Sequence, residues 1–295
     1  MKCLVTGAGG QLATELIRHA PASSDVHALD IETLDITSAE NVMKHVEAIR
    51  PEVVFNAAAW TDVDGAESME SEARAVNRSG PGNLAEACRA CGSRMVHVST
   101  DFVFNGQSST PYKVSDQTGP LGVYGRTKLE GEEEVMRVLG GDAIIVRTAW
   151  LYSPHGKNFL KTMLNLMSDR TSLSVVSDQR GTPTSAGSLA RTLWDLVDTD
   201  ASGVHHWTDG GEATWHEFAM HIHDSGRAMG LLEQDVSIEP IATKDWPTPA
   251  ERPSYSVLDI SESTARIGRD PLHWRDEVDC VIKELASTRS GGVTG

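Results

Sequence analysis

Tyr124 and Lys128 stand four residues apart in Tyr124-Gly125-Arg126-Thr127-Lys128, which puts both side chains on one helix face, within reach of a common ligand. A free phenol has a pKa of about 10 and transfers protons sluggishly at neutral pH, so a nearby ammonium that favours the phenolate is chemically useful. One strand earlier, His97-Val98-Ser99-Thr100-Asp101 brings the Thr100 hydroxyl to where it can hold a carbonyl oxygen beside that phenol. A hydroxyl, a phenol and an ammonium around one oxygen make a proton-donating site for carbonyl reduction, with hydride delivered by a nicotinamide. The tyrosine–lysine spacing alone occurs in ordinary helices. Its place after the Ser99-Thr100-Asp101 strand is what marks Thr100, Tyr124 and Lys128 as candidate catalytic residues.

Such a site needs a sheet edge to carry it. The first half of the chain alternates short apolar runs with longer helical patterns, the signature of parallel strands joined by crossover helices. Strands are predicted over 2–6, 26–29, 53–57, 95–99 and 143–148, and helices over 11–19, 38–49, 71–91 and 124–139. Ser38 is a candidate N-cap, and Pro51 marks where the second helix must have ended. The expected fold is α/β: a doubly wound (Rossmann-type) parallel sheet with a smaller mixed α/β substrate-binding lobe. After Trp150 the pattern shifts to strands over 174–177 and 203–208 and helices over 158–167, 188–197, 214–228 and 276–285. The predicted organisation is a dinucleotide-binding domain over 1–150, a substrate-binding lobe over 151–287 with some segments returning to the first domain, and a disordered tail over 288–295.

Directly after the first strand comes Thr6-Gly7-Ala8-Gly9-Gly10-Gln11-Leu12-Ala13, leading into a helix. Gly7 can make the tight turn, and Gly10 lets the backbone approach a diphosphate at the helix N-terminus, so Gly7, Gly10, Gln11 and Leu12 are candidate cofactor contacts. Ala13 stands where a third glycine is frequent, and is small enough for close helix–strand packing. Asp30 ends the second strand about 20 residues on, where a carboxylate can accept the ribose hydroxyls. That reading favours NADH, since a 2′-phosphate would meet a carboxylate; a turn aspartate is the competing view. Asp35 and Ile36 are candidates for holding the adenine, with Ile36 against its face. Asn56-Ala57-Ala58-Ala59 ends the next strand at the ligand-binding edge, where three small residues admit either a ligand or tight helix packing.

The chain has 295 residues, 39% hydrophobic and 23% charged, and no stretch approaches the roughly 20 apolar residues of a membrane span. The apolar run at the N-terminus stops at a glycine turn, so the reading is a cytoplasmic protein without a secretion signal. Lys+Arg at 26 against Asp+Glu at 42 gives a formal charge of −16, which disfavours nucleic acid as a partner and requires a local cation for any anionic substrate. Cys3, Cys88, Cys91 and Cys280 are too few and too scattered for a disulfide scaffold. Cys88 and Cys91 have redox spacing but fall near a helix end, which favours buried small residues.

These motifs together resemble the extended short-chain dehydrogenase/reductase family, most nearly its reductases of 4-keto deoxysugar nucleotides. The resemblance also takes in Val63-Asp64, Ala66-Glu67, Val76-Asn77, Asp101-Phe102-Val103-Phe104, Arg147-Thr148-Ala149-Trp150, Asn158-Phe159, Asp178-Gln179, Pro183-Thr184 and Arg252-Pro253. It implies reduction of the C4 keto group of dTDP-4-dehydro-β-L-rhamnose to dTDP-L-rhamnose with NADPH as the usual donor, while Asp30 keeps NADH open as the alternative. On that resemblance Tyr124 donates the proton, Lys128 lowers its pKa and binds the nicotinamide ribose, Thr100 orients the carbonyl, and Asn77 belongs to the cofactor site. Phe102, Trp150 and Asn158 fall at substrate positions, with core packing as the alternative for the two aromatics. Arg252 is the candidate partner of the nucleotide diphosphate, against the view of a surface arginine. Some members dimerise through magnesium held by glutamates; Glu15 is at one matching position but Gly187 stands at another, so the expectation is a monomer or weak homodimer without that metal. His216, His221 and His223 are spaced off a common helix face and read as scattered histidines.

Three rivals share the fold. A 4,6-dehydratase is disfavoured because Phe102 stands where such enzymes carry an acid, and phenylalanine cannot shuttle protons. A 4-epimerase stays open as the alternative, since it differs only by retaining its cofactor and letting the substrate rotate in the site. A non-catalytic regulatory subunit of the same fold is opposed by the intact Thr100, Tyr124 and Lys128.

Overall fold

A computed structural model describes residues 1–291. Near-continuous apolar runs form central strands buried on both faces, and with two less buried edge strands these assemble into one parallel sheet. β1 (Lys2–Thr6), β2 (Asp25–Leu29), β3 (Val53–Asn56), β4 (Arg94–Thr100) and β5 (Ala143–Thr148) are joined by an edge strand, Gly203–His206, in the order β2, β1, β3, β4, β5, Gly203–His206. The order reverses direction between β1 and β3, and ligands of such sheets bind outside the carboxyl ends at that switch point.

Two layers of helices cover the sheet. On one face α1 (Gln11–Arg18) packs with a helix from late in the chain, Ala186–Val197, through Leu12, Leu16, Leu189, Leu193 and Trp194 against Phe55. On the other, α2 (Ala39–Ile49), α5 (Gly80–Cys91) and α6 (Val123–Leu139) bury Val42, Val46, Leu84, Cys88 and Val135 over Leu4, Val54 and Ile145. Two short helices, α3 (Val63–Ser68) and α4 (Glu70–Arg74), lie between β3 and α5. Ser38 does cap α2, accepting a hydrogen bond from Asn41 N. Cys88 is fully buried in this core, where burial pushes its thiol up to about 12 and leaves it inert.

One predicted helix is broken. The run expected over 71–91 contains a wide, π-type turn at Ala75–Ser79 between α4 and α5. The cause is Pro81, which has no N–H to offer the Asn77 carbonyl one turn back.

The second lobe holds α7 (Phe159–Asp169), α9 (Trp215–Ala228) and α11 (Trp274–Gly291), with α8 being the returning Ala186–Val197 and α10 the short Ser261–Ile267. Its core is Leu160, Met163, Phe218, Ile222, Trp274 and Val278, covered by the parallel pair Ser172–Val176 and Ser237–Ile241. Thr214 and Glu217 form a reciprocal capping box at the start of α9. The segments of the later chain that return to the first sheet are thus α8 and Gly203–His206. The final helix runs to Gly291, so 288–291 are helical where a disordered tail was expected; the rest of that tail, 292–295, lies outside the described residues. Among the described residues no helix is long and apolar enough to cross a membrane.

Where the lobes join, Asp209 is 1% exposed, accepts a 2.7 Å bond from Ser185 N at the start of α8, and lies near Glu277 of α11. Burial first, and the Glu277 charge second, push its carboxyl up to about 8. The folded state therefore holds a proton that the unfolded chain releases near pH 4, so this contribution to stability falls as pH rises from about 4 through about 8. Asp209→Asn should flatten that dependence: wild type loses melting temperature relative to the variant between pH 6 and pH 9. Parallel melting curves for the two proteins across that range would refute it.

Candidate active site

The carboxyl ends of β1, β3, β4 and β5 open into one cleft of about 1040 Å³, which also takes in loops of the second lobe. That volume exceeds what a single drug-sized ligand fills and suits two extended ligands side by side.

At one end is the glycine-rich loop. Gly7 has φ +73°, and a Cβ there would lie 2.9 Å from Ala58 N, so only glycine permits both the turn and the approach to β3. A Cβ on Gly9 would meet nothing within 4 Å, so the space over this loop is open. Gly10 is the N-cap of α1, and the N–H groups of the first helical residues, with no carbonyl inside the helix to bond, face that space with the positive end of the dipole. These residues fit a dinucleotide diphosphate. The floor is tied together by a buried chain in which Thr6 Oγ1 donates to Asn56 Oδ1 at 2.7 Å and Asn56 Nδ2 meets His97 Nδ1 at 3.0 Å. Burial and the neighbouring Lys128 charge drive the His97 imidazole well below its usual range, so it stays neutral.

Towards the adenosine end, Ile31, Asp35, Ile36 and Ala57-Ala58-Ala59 line the cleft. Asp30 does not line it: its exposed carboxylate accepts the Thr33 N–H at 2.9 Å, and that bond holds it below the usual carboxylate range. Asn77 is likewise outside the cleft wall. Its side chain accepts from Trp60 N at 2.9 Å and donates to Trp60 O and Thr127 Oγ1, so it bolts the π-type turn to the loop after β3 and to α6.

The catalytic candidates meet at the middle. Glu67 caps the start of α6 by accepting Val123 N at 2.7 Å, which fixes Tyr124 in the first turn. Gly125 follows because a Cβ there would fall 2.2 Å from Phe102 O; only glycine lets α6 close on the turn after β4. Thr100 Oγ1 accepts Phe102 N at 3.2 Å, donates to Asp101 Oδ1 at 3.0 Å, and reaches the Tyr124 phenol. Burial pushes that phenol up to about 12, opposed by the Thr100 hydroxyl, so at neutral pH Tyr124 carries its proton and is not lowered by Lys128, contrary to the expectation from the sequence. Lys128 Nζ donates to Val98 O at 2.6 Å, and burial brings the ammonium down to about 8, opposed by the Glu132 carboxylate one turn on. Glu132 is itself buried, accepts from Ser99 Oγ, and takes a bidentate ion pair from Arg147 at 2.7 to 3.2 Å. Asp101, 2% exposed and raised to about 6 by burial, completes this floor.

The far wall is aromatic. Phe102 meets the Tyr124 ring edge-on at 5.8 Å, and both line the cleft. Trp150 has φ +47°, a strained conformation for a bulky residue, and stacks on Trp215 with centroids 3.6 Å apart and planes within 6°. Arg252 reaches the cleft while paired with Asp64 through two bonds of 3.1 and 2.8 Å, and this pairing holds Asp64 below the usual carboxylate range. Asn158 caps α7 and also lines the cleft, its amide donating to Gln11 Oε1 at 2.7 Å. Gln11 therefore spends its side chain on the opposite loop, leaving its backbone to the ligand space. Trp215, Ile31, Glu72 and Lys157 line the cleft without having been picked out by any local motif.

The residues at the magnesium-matching position do not fit a cation. Glu15 is 3% exposed and its oxygens meet His155 Nε2 at 2.9 Å and His19 Nε2 at 3.3 Å. A Cβ on Gly187 would lie 3.4 Å from Glu15 Oε2 and 3.5 Å from the Arg191 guanidinium. Two imidazoles and a guanidinium occupy the ground a metal would need. The α9 histidines are spent elsewhere: His216 on Ile238 O, His221 on Asp279, and His223 Nε2 on Val236 N. No group of three or more potential metal ligands occurs among the described residues.

Sheet order, switch point and a helix-borne tyrosine–lysine pair beside it place the chain among the extended short-chain dehydrogenases/reductases. More narrowly, it belongs to the RmlD substrate binding domain family, which matches residues 1–287. It is 41% identical to a dTDP-4-dehydrorhamnose reductase of Burkholderia thailandensis over 97% of this chain and 100% of that one. Its structure superposes with a TM-score of 0.90 on a dTDP-4-dehydrorhamnose reductase of Clostridium acetobutylicum, 39% identical and covering 97% and 99% of the two chains. A dTDP-4-dehydrorhamnose reductase of Bacillus anthracis, solved in complex with NADP, gives a TM-score of 0.91 at 32% identity over 96% and 99%.

Proposed function

We propose that this protein reduces the C4 keto group of dTDP-4-dehydro-β-L-rhamnose to dTDP-L-rhamnose, using NADPH. The observation that carries the reading is that Thr100, Tyr124 and Lys128 line one cleft beside the sheet's switch point, between an open glycine-rich loop and an aromatic wall. When bound, NADPH supplies the hydride to C4. Gly7, Gly10 and the first turn of α1 hold its diphosphate, and Ala57-Ala58-Ala59 and Ile36 flank its adenosine side. Thr100 holds the substrate carbonyl, and Tyr124, protonated at neutral pH, passes its proton to the oxygen as the C–O double bond becomes a single bond. The Lys128 ammonium, in a dry site, stabilises the phenolate left behind. Phe102 and Trp150 offer apolar faces to a deoxysugar, and Arg252 offers its guanidinium to the nucleotide diphosphate. Every residue given a role here belongs to one chain, which supports a monomer or weak homodimer, and we place the protein in the cytoplasm.

Incubating the protein with dTDP-4-dehydro-β-L-rhamnose, generated by coupled upstream enzymes, should oxidise NADPH in proportion to substrate; turnover with neither NADPH nor NADH would reject the reading. The same assay with dTDP-4-dehydro-6-deoxy-D-glucose tests the sugar assignment. Arg252→Ala should raise KM for the nucleotide sugar about tenfold with little change in kcat, since a diphosphate contact acts equally in ground and transition states. An unchanged KM would remove Arg252 from the substrate site.

A further inference from the structure

Three cations line the cleft, Lys128, Lys157 and Arg252. Two are committed within the protein: Lys128 to Val98 O and Arg252 to Asp64. Lys157 is exposed, and its Nζ makes no hydrogen bond or ion pair among the described residues. It rides on the loop 153–158, which Asn158 and Lys161 tie to α7 in its own lobe and which is also fastened to the first turns of α1. Ser153 Oγ and Asn158 Nδ2 donate to Gln11 Oε1 at 2.9 and 2.7 Å, and His155 Nε2 meets Glu15 Oε1 at 2.9 Å. A Cβ on Gly156 would come within 3.3 Å of Gln11 Cγ, so the loop backbone passes directly over that side chain.

We propose that Lys157 is a binding residue for a diphosphate, that of the dinucleotide, held over the first turn of α1 by this loop. Resting on the reductase reading above, the assignment adds a contact from the substrate lobe to the cofactor. A chain of net charge −16 needs a cation where an anion binds, and the glycine-rich loop offers only backbone N–H groups. The second diphosphate expected in the cleft, that of the nucleotide sugar, has Arg252 at the other end, beside α3 and the aromatic wall. One cation thus serves each diphosphate. The loop also explains why Gln11 follows Gly10: its side chain anchors the loop that brings the ammonium in.

Lys157 is exposed, so Lys157→Ala should fold as wild type. The test is a binding titration of wild type, Lys157→Ala and Lys157→Arg with NADPH, and separately with dTDP, at low and high salt. We expect Lys157→Ala to weaken NADPH about tenfold at low salt, less at high salt because the lost contact is screened, with dTDP unchanged and Lys157→Arg intermediate. A loss confined to dTDP, an equal loss for both ligands, or no loss for either overturns the assignment while leaving the reductase reading intact. Failure of wild type to bind NADPH or NADH overturns both.

Discussion

Tyr124→Phe should lower kcat by roughly 10²–10⁴ while leaving the affinity for NADPH within about twofold, because on the proposed mechanism the variant loses only the proton donor. The ring keeps its edge-on contact with Phe102 and its place in the first turn of α6, so folding is spared. In wild type, kcat/KM should fall as pH rises through about 8, where Lys128 gives up its proton. The sign follows from the charge: the ammonium stabilises the phenolate left after proton transfer, and a neutral amine does not. Steady-state kinetics from pH 6 to pH 10 with a fluorescence titration of NADPH would check both parts. A variant that turns over as fast as wild type removes Tyr124 from the reaction.

The second large effect lies beneath the site. Arg147 and Glu132 are buried together, with side chains 6% and 4% exposed, and the guanidinium also lies over Phe104 at 5.2 Å. Arg147→Met would strand the Glu132 carboxylate without its partner, which costs about 3–5 kcal/mol in buried pairs. At roughly 2–4 °C per kcal/mol for a chain of this order, the melting temperature should drop by about 10 °C. Replacing both, as Glu132→Leu with Arg147→Met, should recover most of the loss, because no uncompensated charge remains. The single variant should also move the alkaline limb of kcat/KM upward, since the unpaired Glu132 draws the Lys128 proton more tightly. Equal melting temperatures for wild type and Arg147→Met would show that the pair contributes nothing.

The parts of this molecule that could be read from the chain are those whose cause is local. The first strand, its glycine turn and the cap at Ser38 follow from residues within a few positions of each other, and the structure places each as expected. Thr100, Tyr124 and Lys128 were legible because one strand end and one helical turn suffice to bring them together. Asn77 shows the limit: its motif suggests a cofactor contact, yet its side chain is consumed by Trp60 and Thr127 from two other segments. Trp215 faces the cleft because α9 docks beside the strained Trp150, an arrangement fixed by packing between segments about 65 residues apart. The loop 153–158 was equally silent, since Ser153 and Asn158 depend on a glutamine about 140 residues earlier.

The late return of α8 and Gly203–His206 to the sheet has a consequence for dissection. Cutting after residue 150 would strip the sheet of its edge strand and uncover Leu12, Leu16 and Phe55, which pack against Leu189, Leu193 and Trp194. An amino-terminal fragment would then present sticky apolar surface in place of a self-sufficient nucleotide-binding module. Chimeras that trade the second lobe between relatives therefore have to carry three crossovers, leaving and re-entering the sheet layer around 186–206. The two halves are braided along the chain.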